Sequence, residues 1–220
     1  MATVDIGNQE KRVNMFSAIY ELDASGNLTG KIEESKGGLE AYEIRKTIAG
    51  KGKENYLAEF RDRYQDWEIN DLNLTNLESI NESYKSQFSF KTDDYIQAST
   101  NEFYINPLLS SGLKSNPFKL ETRKFPVDFA CPLDETIIIN LKPPEGYILD
   151  EKPESIMLTL PENTGKFMYT IVQNGNTIQI SSKLSLSKGI FMDETYGYLR
   201  EFFAQIVAKH SEQLVLRKQS

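Results

Sequence analysis

Nucleophilic catalysis in this chain would have to be built from one thiol, Cys131, and one imidazole, His210. Thiol catalysis needs the two within hydrogen-bond reach, with the sulfur usually at a helix N-terminus whose dipole favours thiolate. The local sequence points elsewhere. Cys131 stands in Phe129-Ala130-Cys131-Pro132, at the end of an expected strand, and Pro132 biases the residue before it toward extended backbone. Leu133-Asp134-Glu135 then leads into another strand. His210 falls near the C-terminal end of a helical stretch, so the expectation is a buried structural thiol and an ordinary helix-end imidazole.

The remaining candidates are weaker. Asp23-Ala24-Ser25-Gly26-Asn27 is oxygen-rich like a calcium loop, but it lacks the downstream bidentate Glu and reads as a hairpin turn. Gly50-Lys51-Gly52-Lys53 does not have the spacing of a phosphate-binding loop and has helix on both sides, so it reads as a linker turn. The carboxylate pairs Glu33-Glu34, Asp93-Asp94 and Asp150-Glu151 are adjacent, so in strands their members point to opposite faces as solvated charge. Asn27, Asn73 and Asn81 begin glycosylation-type tripeptides, a pattern short enough to be matched by chance. A single cysteine excludes an internal disulfide and any CxxC zinc spacing. The sequence therefore predicts no catalytic, cofactor-binding or metal-binding residue.

Composition sets the wider limits. With 39% hydrophobic and 11% aromatic residues in 220, the chain can bury a core. A net charge of −7 repels phosphate backbones and anionic lipid, and the densest basic stretch, Lys46 to Lys53, is broken by Gly50 and Gly52. Nucleic-acid binding is not expected. No apolar run approaches a membrane span, and Met1 to Gly7 lacks the basic-then-apolar order of a signal peptide. Read as a complete product this start implies cytoplasm; read as an excised region it says nothing about export.

The elements that must position these residues divide near residue 106. All eight prolines lie at Pro107 or later, and residues 1–106 hold 19 acids against 12 bases, leaving 13 of each for the rest. Two domains are expected, 1–106 and 107–220, joined by the turn-rich Asn106 to Pro117. The first should open with a hairpin, Val13 to Asp23 and Leu28 to Glu34, followed by helices over Leu39 to Ile48 and Glu54 to Tyr64. Strands return from Trp67 to Ile105, with Trp67 expected as a core side chain at a strand start rather than a ligand platform. The second domain should contain strands over Glu135 to Lys142, Ser155 to Leu160, Lys166 to Gln173 and Thr177 to Leu186, the last two joined at Asn174-Gly175-Asn176. A helix from an Asp193 cap, with Tyr196, Leu199, Phe203, Ile206, Val207 and His210 on one face, precedes a short strand at Leu214 to Leu216. The expected fold class is mainly β (α+β): two antiparallel-sheet or β-sandwich-like domains, with two helices in the first and a C-terminal helix in the second.

Asn116-Pro117-Phe118, Arg123-Lys124-Phe125-Pro126-Val127-Asp128-Phe129, Pro144-Glu145-Gly146-Tyr147 and Tyr196-Gly197-Tyr198-Leu199-Arg200-Glu201-Phe202-Phe203 occur in that order. Together they resemble the C-terminal domain of unknown function in transglutaminase-like proteins of Bacteroides-type bacteria. Leu22 to Gly30 and Ala41 to Arg45 resemble the segment joining that tail to the catalytic domain. The resemblance implies a periplasmic or extracellular setting and a non-catalytic accessory region. Its partner would be the parent's papain-like domain, whose Cys, His and Asp are not carried over to any residue here. A binding module for a peptide or glycan is the alternative. A flat apolar patch near the N-terminal hairpin would favour docking, and a concave site with exposed aromatics would favour ligand binding.

Overall fold

The computed structural model describes residues 11–64, 66–93, 96 and 101–219. The first hairpin forms as its alternation requires: β1 (Arg12–Leu22) pairs antiparallel with β2 (Leu28–Gly37). Its turn is closed by the Asp23 carboxylate, which accepts from the Ser25 and Asn27 backbone N–H groups at 2.8 and 3.0 Å and from Asn27 Nδ2 at 2.8 Å. Burial alone would raise this carboxyl, but those hydrogen bonds outweigh it and hold the group below its ordinary value. Gly26 takes φ 91 there, and a Cβ would lie 2.3 Å from the Ile96 carbonyl oxygen, so only glycine fits.

Helices α1 (Leu39–Lys51) and α2 (Lys53–Asp62) meet at Gly52, where Gly-Lys-Gly-Lys makes the expected linker turn. They lie against the inner face of the sheet. Phe60 sits edge-on to Phe88 at 5.3 Å, and the Tyr56 and Tyr84 hydroxyls meet at 3.3 Å. Trp67, half-buried, stacks on Phe90 at 4.2 Å and packs against the core. The first half closes with β3 (Glu68–Thr75), β4 (Tyr84–Thr92) and β5 (Glu102–Ile105).

The second half supplies β6 (Val127–Asp128), β7 (Leu133–Lys142), β8 (Tyr147–Glu151), β9 (Ile156–Thr159), β10 (Gly165–Asn174), β11 (Thr177–Leu186) and β12 (Ile190–Phe191). Helix α3 (Tyr196–Ser211) and β13 (Leu214–Lys218) end it. Asp193 does not cap α3; a short 3-10 turn over Asp193–Thr195 leads in, and Thr195 is the N-cap without a side-chain bond. At the β10–β11 hairpin Asn174 pairs with Thr177 and the positive φ falls on Gly175, the first loop residue. The stretch from Phe118 to Cys131 forms only the two-residue β6, paired with β12.

The fold is mainly β with three helices, as the sequence implies, but the strands are not shared between two separate antiparallel sheets. Eight form one mixed sheet in the order β3-β4-β2-β1-β7-β11-β10-β9, and β1 runs parallel to β7 from Arg12↔Leu133 to Glu21↔Lys142. The compositional break at 106 therefore does not coincide with a break in the sheet. A three-stranded sheet, β5-β13-β8, joins residues from both halves as well. The segment after residue 106 is packed rather than loose: Leu108 is fully buried, Asn106 Nδ2 donates to the His210 carbonyl at 2.8 Å, and Asn116 Nδ2 donates to that of Arg200 at 2.8 Å.

Candidate functional site

The two expected catalytic candidates are not brought together. Cys131 is a free, buried thiol in the bend between β6 and β7, away from any helix N-terminus. His210 is not the ordinary helix-end residue expected. It continues the apolar face of Leu199, Phe203 and Ile206 into the core, lies beside Phe167 and Tyr169, and is buried with Ser182 on β11.

Ser182 Oγ lies 3.0 Å from His210 Nε2, a spacing that suits a nucleophile and its base. The other ring nitrogen decides the chemistry. The Leu113 backbone N–H donates to Nδ1 at 2.9 Å, so Nδ1 is the unprotonated nitrogen and the ring proton sits on Nε2. Nε2 then donates to Ser182 Oγ and cannot take its proton. Burial also lowers the imidazole pKa to about 4, which keeps the ring neutral. This pair ties α3, β11 and the 106–117 connection together.

The other candidates are accounted for locally. Glu33 and Glu34 face opposite sides of β2: Glu33 accepts from Gln87 Nε2, and Glu34 accepts from the Tyr64 hydroxyl at 3.3 Å. Asp150 pairs with Arg217 at 2.6 Å, and Asp93 pairs with Lys91 at 3.0 Å; Asp94 lies outside the described residues. No group of three or more metal-ligating side chains occurs among the described residues. No helix there is long and apolar enough to cross a membrane.

What the sequence reading missed is the character of the sheet's outer face. The register sets Met15 of β1 beside Thr136 of β7, then Lys183 of β11, Met168 of β10 and Met157 of β9 in one outward row. The outward row four residues along carries Ile19, Asn140, Gln179 and Val172. Met15 is 43% exposed, Ile19 56% and Met157 62%, so no described element covers this surface. The signal was present in the strand parity: these side chains occupy positions where a solvated sheet face carries polar groups. Beside them, the same face hollows over β3, β4, β2 and β1 into an open groove of about 560 Å³, lined by Lys31, Glu33, Asp71, Asn73, Gln87 and Ser89. Its aromatic neighbour, Phe88, is buried toward the core.

An α+β module on one mixed sheet, with an uncovered methionine-bearing face and a Ser–His pair in the wrong tautomer for catalysis, is the class of protein defined so far. The chain belongs to the family DUF3858, described as a domain of unknown function with a solved structure, whose profile matches residues 101–216. That match begins just before β5 and ends within β13, so β7, β11 and α3 lie inside it and β1 and β2 outside. Among solved structures, the chain is similar to one from Parabacteroides distasonis ATCC 8503, described as a putative protease. The similarity has 22% sequence identity and a TM-score of 0.45, and covers 55% of this chain and 24% of that one. The chain thus corresponds to about a quarter of that protein's length. No curated protein matches the sequence.

Proposed function

We propose that this chain is a non-catalytic accessory region whose outer sheet face packs on a catalytic domain absent from it and positions or shields that domain's cleft. The observation that carries the reading is the row Met15, Met168 and Met157 across the open face, with Ile19 beside it. An antiparallel-rich sheet with one face in water ordinarily alternates apolar and polar residues. Large exposed side chains gathered on that face mark a contact surface, and methionine adapts its shape to a partner at little conformational cost. The surface runs from β1 of the N-terminal hairpin across the sheet to its edge strand β9. The adjoining groove offers no exposed aromatic platform, which weighs against a sugar- or peptide-binding module. The partner would be a transglutaminase-like domain of the same parent protein, in keeping with the sequence resemblance.

Oxidative footprinting read by mass spectrometry tests this. In the isolated chain Met15 and Met157 should convert readily to sulfoxide; in the parent protein both should be protected, while the exposed Met192, which follows β12 outside the eight-stranded sheet, should react alike in each. Equal labelling of Met15 and Met157 in chain and parent would overturn the reading.

A further inference from the structure

The inner face of the sheet is mainly apolar, and apart from hydroxyl residues such as Ser86, Thr92 and Ser182 its polar side chains gather at one place. On β1 the inward positions are Asn14, Phe16, Ala18 and Tyr20; on β2 they include Ile32, Glu34 and Lys36; on β7, Glu135, Ile137 and Ile139. The polar members are neighbours. Lys36 is opposite Asn14, and Asn14 is opposite Glu135, so the three form one row across β2, β1 and β7, with Glu34 a row away. This is the seam between the two covers of the sheet, where α2 runs out at Tyr64 and the connection arrives at Ser110 and Ser111. A half-enclosed cavity of about 190 Å³ opens there, lined by these side chains.

Three features distinguish the cavity from a chance gap. The side-chain carbonyl oxygen of Asn14, a residue in the cavity wall, is buried with no hydrogen-bond partner among the described residues. Glu135 and Lys36 lie on opposite sides of Asn14, roughly 10 Å apart at the backbone by the spacing of strands, and neither makes a salt bridge with any described residue. Glu34 has one carboxylate oxygen engaged by the Tyr64 hydroxyl at 3.3 Å, leaving its other oxygen as a further acceptor. Burial raises the Glu135 carboxyl above its ordinary value, which Lys36 partly counters and Glu40 reinforces; a cation against Glu135 would relieve that cost.

We infer that this seam cavity binds a small zwitterion of amino-acid size, its ammonium against Glu135 and its carboxylate against Lys36. Glu135 stands on one side of Asn14 and Lys36 on the other, so a ligand with only one charge leaves one of the two unmet. The volume is appropriate, since an apolar cavity of about 150 Å³ accommodates benzene. The site is on the opposite side of the sheet from the proposed docking face, and does not depend on that proposal.

The test is a titration of the full 220-residue chain, without any partner domain, followed by NMR at the Asn14 side-chain amide and the Ser110 and Ser111 backbone amides. L-alanine is the probe. L-alanine amide, which lacks the carboxylate, and N-acetyl-L-alanine, which lacks the ammonium, are its singly charged counterparts. Saturable shifts with L-alanine are expected, with affinity weaker by about tenfold or more for either counterpart. Lys36→Met should weaken L-alanine by a similar factor and bring it level with L-alanine amide. The wild-type comparison stands even where a variant fails to fold. Absence of saturable shifts with L-alanine, or equal binding of L-alanine and L-alanine amide, would overturn the inference.

Discussion

The sheet's inner face has two covers, and they are built differently. Helix α3 turns seven side chains into the core over sixteen residues, among them Leu199 and Ile206 with no exposure, and it adds the buried His210 link to β11 and the connection. Even Phe202, which the helical stripe would set at its margin, is buried, and Lys209 follows it by directing Nζ to the Glu154 carbonyl and the Glu212 carboxylate. Helices α1 and α2 bury only Ala41, Tyr56 and Phe60; the rest of their contact is half-covered Ile44, Ile48 and Leu57 around an aromatic cluster. One cover is an integral wall of the core and the other a looser lid. The polar seam lies where they fail to meet, and the outer face has no cover among the described residues.

Removing the wall should have the largest effect. Deletion of residues 196–220 takes away α3 and β13, the central strand of the β5-β13-β8 sheet, and should abolish cooperative unfolding as followed by circular dichroism. A truncated chain that kept its thermal midpoint would make α3 an appendage and erase the distinction.

The same substitution in each cover gives a finer comparison. Ile206→Ala, at a site with no exposure, should cost about 2–5 kcal/mol in urea denaturation. Ile48→Ala in α1, only partly buried, should cost about 1 kcal/mol. Equal costs would mean that both helices are equally integral.

His210 makes the wall sensitive to acid. Its folded pKa, lowered to about 4 by burial, lies below the unfolded value of about 6.5, so between these pH values the unfolded chain binds a proton that the folded chain does not. Stability should therefore be retained above about pH 6.5 and fall as the pH drops toward 4, by about 3 kcal/mol from this residue. The difference between wild type and His210→Gln across that interval isolates the contribution. Parallel stability profiles for the two proteins would show that the ring is not buried neutral.

The smallest effect belongs to the uncovered face. Ile19→Thr keeps a β-branched residue on a solvated strand and should change stability by no more than about 0.5 kcal/mol, while weakening attachment to the proposed partner domain. A loss as large as that of Ile206→Ala would mean that Ile19 is covered within this chain.

Local chemistry made most of the elements legible in advance. β11 matches its expected span because ten residues alternate without interruption between turn formers, and α1 and α2 follow from apolar spacing broken at Gly52. β8 was hidden because Pro143 to Tyr147 reads as a turn and the strand gains its identity only by pairing with β13, far along the chain. His210 could be placed on the apolar face of its helix, but nothing local indicates that its two ring nitrogens meet Leu113 and Ser182.

The sequence by itself determined a mainly β chain with three helices and a buried thiol, because period, turn chemistry and the residue inventory are local properties. Only the tertiary structure decided that β1 lies parallel to β7, since a two-residue alternation specifies which face is buried and not which strand is the neighbour. That one pairing joins the compositionally distinct halves in a single sheet. It also aligns Lys36, Asn14 and Glu135 on the inner side and brings Met15 into line with Met168 and Met157 on the outer side. Both candidate sites are rows that run across strands, and a row across strands exists only once the strands have found each other.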